Sequence, residues 1–73
     1  MKQPNTLLNF GNRLKRLRAA RGCSQETMAA DIGIDRTYYA SVENGRRNVS
    51  LKNIKKIAIG FELSLSELFN EVR

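Results

Sequence analysis

Arg36, Thr37, Tyr38 and Ser41 fall within six consecutive positions of the chain, and Arg46 and Arg47 follow shortly after them. Their side chains are guanidinium forks, hydroxyls and a phenol, which donate and accept hydrogen bonds and carry positive charge. They make no acid–base constellation. The 73 residues include no histidine and one cysteine, Cys23, and no group of carboxylates or thiolates has metal-ligand spacing. The expectation is a protein that recognises a partner, with no catalytic residue, metal or cofactor.

The charge says what kind of partner. The chain carries 13 Lys and Arg against 7 Asp and Glu, a net charge of +6, and its pI is about 10.1. Twelve of the thirteen basic residues lie between Lys2 and Lys56; beyond Lys56 stand Glu62, Glu67 and Glu71 with Arg73 alone opposing them. A polyanion would therefore meet the first three quarters of the chain. Charge alone leaves nucleic acid and an anionic membrane surface both open. The longest apolar runs are a few residues, far short of the ~20 that span a bilayer. With one cysteine and no basic-then-apolar leader pattern, a reducing cytoplasm is the expected location. Cys23 is expected to behave as a small buried hydrophobe.

A chain of this length makes one domain, which buries only about 60% of the surface its unfolded form exposes, so self-association would help it. The elements that must position the polar cluster are all helices. Residues 1–6 read as a flexible tail and 7–73 as a single domain. Phe10, Leu14 and Leu17 set a helical stripe from Leu7 to Arg21, stopped by Gly22. Ser24 caps a short second helix with Met28, Ala29 and Ile32 on one face, ended by Gly33. Asp35 caps a third, with Tyr39 and Val42 inward, closed by Asn44 and Gly45. Ser50 caps a fourth, in which Leu51, Ile54, Ile57, Ala58 and Phe61 form a continuous stripe. Ser64 and Glu67 make a capping box for a last, two-turn helix bearing Leu65, Leu68, Phe69 and Val72.

The second and third helices are too short to stand alone and must cross steeply. A small residue, Ala29, suits the crossing, and a glycine, Gly33, tolerates the positive φ of the turn. The third helix then turns Arg36, Thr37, Tyr38 and Ser41 outward. That is the layout of a helix-turn-helix whose second helix enters the major groove.

At these residues the sequence resembles the lambda-repressor-like (Cro/repressor, XRE-type) helix-turn-helix family. The likeness runs from "FGNRLKRLRAARGCSQE" through "ENGRRN" to "SLSELF". Within the family, "DRTYYASVENGRRNVSL" is most similar to the small controller proteins of restriction-modification systems. The resemblance implies a compact, all-α, five-helix DNA-binding domain with a central helix-turn-helix. It implies a transcriptional regulator that reads a pseudo-palindromic operator as a homodimer, regulates its own gene, and contacts RNA polymerase. By position it implies base contacts from Arg36, Thr37 and Ser41, with Tyr38 and Arg47 as further contacts. Ser24, Gln25 and Asn44 match phosphate-binding positions, and Arg46, in the loop after the third helix, is assigned to phosphate as well. Arg18 and Glu43 match an ion pair between the first and third helices. The chemistry agrees: Arg36 can give guanine O6 and N7 a bidentate donor pair, and Thr37 can offer a hydroxyl or pack its methyl on thymine.

Arg13, Lys15, Arg16 and Arg21 are expected to be a solvated face, while Lys52, Lys55 and Lys56 could touch phosphate or merely solubilise the fourth helix. Tyr39 stands where relatives of this kind more often have a branched aliphatic residue; its ring is expected to be buried with the hydroxyl reaching the surface. Leu65, Leu68, Phe69 and Val72 are more apolar positions than one small core needs from a two-turn helix, and Ile59 lies off the main stripe of the fourth; Ile59, Leu65, Phe69 and Val72 are assigned to a two-fold interface, with closure of the monomer core as the competing role. Leu68 is assigned to the core. A different class of function remains beside the DNA reader: a helix-turn-helix that binds a protein partner, as an antitoxin-like or adaptor subunit.

Overall fold

The computed structural model describes residues 5–73, which form five helices and no strand: α1 (Thr6–Arg21), α2 (Gln25–Ile32), α3 (Arg36–Glu43), α4 (Leu51–Gly60) and α5 (Leu65–Leu68). Each begins at a side-chain cap. Asn5, Ser24, Asp35, Ser50 and Ser64 each accept a backbone N–H from three residues ahead, which satisfies a donor the helix itself cannot pair. Ser64 and Glu67 form the reciprocal capping box.

Two boundaries differ from the sequence reading. Asn5 and Thr6, assigned to the tail, are the cap and first residue of α1, because the Asn5 side chain accepts from the Leu8 N–H at 3.1 Å. The rest of that tail, residues 1–4, lies outside the described residues. The last helix is a single turn. Phe69 caps it and Glu71 takes a φ of 67°, so the chain turns away, with the Val72 N–H bonded to the Phe69 carbonyl at 2.9 Å.

Phe10 and Leu14 of α1, Met28, Ala29 and Ile32 of α2, Tyr39 and Val42 of α3, and Ile57 and Ala58 of α4 bury together with Phe61 and Leu68. Ala29 is buried in α2, which packs on α3, and Gly33 makes the turn between them at a φ of 84°. Contact between α1 and α3 is closer still. A Cβ built on Gly11 would lie 2.8 Å from the Val42 carbonyl oxygen and nearer yet to that of Glu43, so only glycine lets α3 dock on α1 at this distance. Leu51 departs from the expected stripe: at 72% exposure it lies outside the core, at the first residue of α4.

Arg13 and Arg21 are not free members of a solvated face. Arg13 donates to the carbonyls of Glu67 (2.8 Å) and Leu68 (3.3 Å) at the end of α5. Arg21 donates to the Gly60 carbonyl at 2.8 Å and lies over the Phe61 ring. Cations at helix C-termini satisfy orphan carbonyls and oppose the helix dipole, so α1 staples the ends of α4 and α5 through its arginines. Cys23 is half-buried against the core, its Sγ 3.7 Å from Met28 Sδ. Among the described residues no helix is long and apolar enough to cross a membrane.

Candidate nucleic-acid interface

The outward face of α3 follows from its start. Asp35 accepts the Tyr38 N–H at 3.0 Å, which fixes the first turn and sets Tyr39 and Val42 into the core. Arg36 and Thr37 are exposed and Ser41 half-buried, its hydroxyl donating to the Thr37 carbonyl one turn back at 3.0 Å. Asn44, Arg46 and Arg47 are exposed in the segment that follows. The residues assigned to bases on α3 and the arginines of the following loop are thus exposed or half-exposed.

Beneath this face lies a buried polar cluster that fixes where α3 sits. Glu43, the last residue of α3, is fully buried. Its carboxylate accepts from Arg18 Nε at 2.7 Å, Arg18 Nη2 at 3.0 Å and Gln25 Nε2 at 3.0 Å. Arg18 also donates to the Cys23 carbonyl at 3.0 Å. One carboxylate therefore ties α3 to α1 and to the first turn of α2. Burial alone would raise the Glu43 pKa; the hydrogen bonds from Arg18 and Gln25 outweigh it and hold the group below the usual carboxylate range. Arg18 is raised in turn, chiefly by its hydrogen bond to Glu43.

Tyr39 corrects an expectation. The whole residue is buried, and its hydroxyl does not reach the surface. Oη has no hydrogen-bond partner, although the Glu43 carboxylate is among its neighbours. Burial, then that carboxylate, pushes its pKa well up.

Some assigned residues are already engaged. Gln25 spends one amide N–H on Glu43, and Ser24 both caps α2 and donates to Thr27 Oγ1 at 3.0 Å. Arg36 Nη1 lies 3.7 Å from a Glu26 carboxylate oxygen, with both side chains about seven-tenths exposed, so this pair is weak and easily exchanged for another acceptor. The Arg47 guanidinium lies 5.0 Å from the centroid of the Tyr38 ring, and Asn53 Nδ2 donates to Tyr38 Oη at 3.1 Å. Glu26 and Asn53 were missed in the sequence. Neither has a local signal, because Glu26 meets Arg36 across the turn between two helices and Asn53 meets Tyr38 across 15 residues of chain.

The four residues assigned to a two-fold interface divide. Ile59 is 63% exposed; Phe69 is 37% exposed and stacks on Phe10 at 5.2 Å between ring centroids; Leu65 and Val72 are half-buried against the core. Leu68 is fully buried. Ile59 and Leu65 line an open apolar groove with Leu51, edged by Lys52, Lys55 and Lys56.

Residues 14–68, three quarters of the chain, match the HTH_3 helix-turn-helix family. The chain belongs to the HTH_3 family. Among its relatives is the control protein C.MunI of a Mycoplasma species, 54% identical over 66 residues, which are 89% of each chain. The crystal structure of the restriction-modification controller protein C.AhdI from Aeromonas hydrophila superposes with a TM-score of 0.82 at 52% identity, covering 86% of this chain and 96% of that one. The controller protein C.Esp1396I, crystallised as a tetramer with its natural 35 base-pair operator, superposes with a TM-score of 0.83 at 29% identity, covering 93% of this chain and 90% of the other. The expected fold and the expected likeness to controller proteins are both present.

Proposed function

We propose that this chain is a sequence-specific DNA-binding transcriptional regulator of the restriction-modification controller kind, which binds a pseudo-palindromic operator as a homodimer and regulates its own gene. The observation that carries this is the polar face of α3, exposed at Arg36 and Thr37 and anchored from beneath by the Arg18–Glu43–Gln25 cluster. An anchored helix with an exposed hydroxyl and an exposed guanidinium, paired only weakly with Glu26, suits the major groove, where each base pair shows a distinct donor and acceptor pattern. Arg36, Thr37, Tyr38, Ser41 and Arg47 read bases in this scheme. Ser24, Gln25, Asn44 and Arg46 position the protein on phosphates, Gln25 through groups its bond to Glu43 leaves free.

The groove of Leu51, Ile59 and Leu65 is the apolar surface available for the two-fold contact. Phe69 and Val72, which already pack within the monomer, take a smaller part in that contact. Two recognition helices would then meet major grooves about one turn, ~34 Å, apart. The likeness to C.MunI and C.AhdI supports the controller role. Contact with RNA polymerase belongs to that role.

Selection of binding sites from random duplex DNA, followed by affinity on the winner and on a scrambled duplex across a salt series, tests this. The expected outcome is an inverted repeat bound at least ~10³-fold more tightly than the scrambled duplex. Salt-sensitive binding without an enriched sequence would instead indicate a nonspecific binder, and no binding would favour a protein partner.

A further inference from the structure

Tyr38 is held from two sides by residues outside α3. Asn53, on α4, donates from Nδ2 to the phenol oxygen at 3.1 Å, and Arg47, in the segment after α3, lays its guanidinium over the ring at 5.0 Å. The bond from Asn53 leaves the phenol as acceptor, so the hydroxyl's own proton remains free for an acceptor on another molecule. Asn53 is itself fixed: it sits in the first turn of α4, where its backbone N–H donates to the Ser50 cap at 3.2 Å. Tyr38 is half-buried and Arg47 exposed, so the ring is the platform and the guanidinium the accessible group stacked on it.

From this arrangement we infer that Asn53 is a positioning residue for DNA recognition, which orients the Tyr38 phenol as a hydrogen-bond donor and, through its ring, sets the approach of Arg47. The inference rests on the proposed DNA-binding function and adds to it a residue on α4 that acts on specificity through another side chain. Held this way, α3, the following loop and α4 present one preorganised surface. A guanidinium already stacked loses less freedom when it binds.

Asn53→Ala, Tyr38→Phe and the double variant are compared for affinity on the selected operator and on a scrambled duplex. Asn53→Ala should weaken operator binding about fivefold, the effect of one hydrogen bond, and change scrambled binding less than twofold. The double variant should be no weaker than the weaker single variant. Equal losses on both duplexes would mean that Asn53 touches phosphate itself, and additive losses would mean that it acts independently of Tyr38; either overturns the inference. A second measurement needs no DNA. The Arg47 side-chain proton signals, displaced by the Tyr38 ring current in the free protein, should move toward unstacked values in Asn53→Ala. If they stay, the coupling is refuted, whereas a lack of operator preference in the unsubstituted protein would refute the operator reading alone.

Discussion

Removing the Arg18 guanidinium should strand a charge in the core. Arg18→Met keeps an apolar stem but takes away two of the three donors on the Glu43 carboxylate, which is fully buried and left with Gln25 alone. Breaking a buried pair from one side costs ~3–5 kcal/mol. Because the Arg18 side chain is 22% exposed, the pair is not fully desolvated and the lower end, ~3 kcal/mol, is expected. A domain of this size has roughly 4–11 kcal/mol in total. The loss corresponds to a fall in Tm of roughly 12–24 °C.

The pH dependence gives a sharper test than the size. In the unsubstituted protein the Glu43 pKa is lowered, so its stabilisation is present above the unfolded glutamate value of about 4.3 and is lost as pH falls through the folded value. In Arg18→Met burial dominates and the folded pKa rises above the unfolded one. The variant should then be hurt least near or below pH ~4.3, and the deficit should grow as pH rises through the folded pKa. Urea unfolding followed by circular dichroism between pH 4 and 8 measures the difference. A loss under ~1 kcal/mol, or a deficit that does not change with pH, would refute the idea that Glu43 depends on Arg18. The pair Arg18→Met with Glu43→Leu should recover most of the stability, since two apolar groups leave no charge behind.

Other outcomes are open to measurement. Gly11→Ala places a methyl against the Glu43 and Val42 carbonyls, and the overpacking, ~1–3 kcal/mol, should exceed the ~1 kcal/mol gained in helix propensity; a variant of unchanged or greater Tm would show that α1 and α3 can part without cost. Arg36→Ala should relax preference at one base pair per half-site by ~1–3 kcal/mol, while Arg46→Ala should weaken binding to all duplexes alike and reduce the salt slope by about one; site selection with each variant separates the two. Ile59→Asp should shift sedimentation toward monomer and leave Tm nearly unchanged, because the side chain is 63% exposed; an undiminished dimer would move the two-fold contact elsewhere.

Caps and periodicity were legible locally. Ser24, Asp35, Ser50 and Ser64 start helices where a side-chain oxygen can reach an N–H three residues on, and that geometry involves only neighbours in the chain. The Ala29 and Gly33 spacing likewise belongs to one turn and its crossing. The resemblance, carried by contiguous residues, extended that local reading to the family and to the Arg18–Glu43 pair. Contacts between distant segments were not legible. Leu51 fits the helical stripe of α4 by spacing yet stays exposed, since only packing decides how far along a helix its neighbours extend. Arg13 and Arg21 look like any basic helix face until the ends of α5 and α4 arrive beneath them.

The sequence by itself thus determined five helices, the caps of the last four, a basic surface and a polar face on α3, because these depend on residue type and short spacing. The tertiary structure alone decided that Gln25 joins the Glu43 cluster, that Tyr39 buries its hydroxyl, and that Asn53 reaches Tyr38. Each is a meeting of side chains 15 or more residues apart or the outcome of burial on every side, and chain spacing carries no record of either.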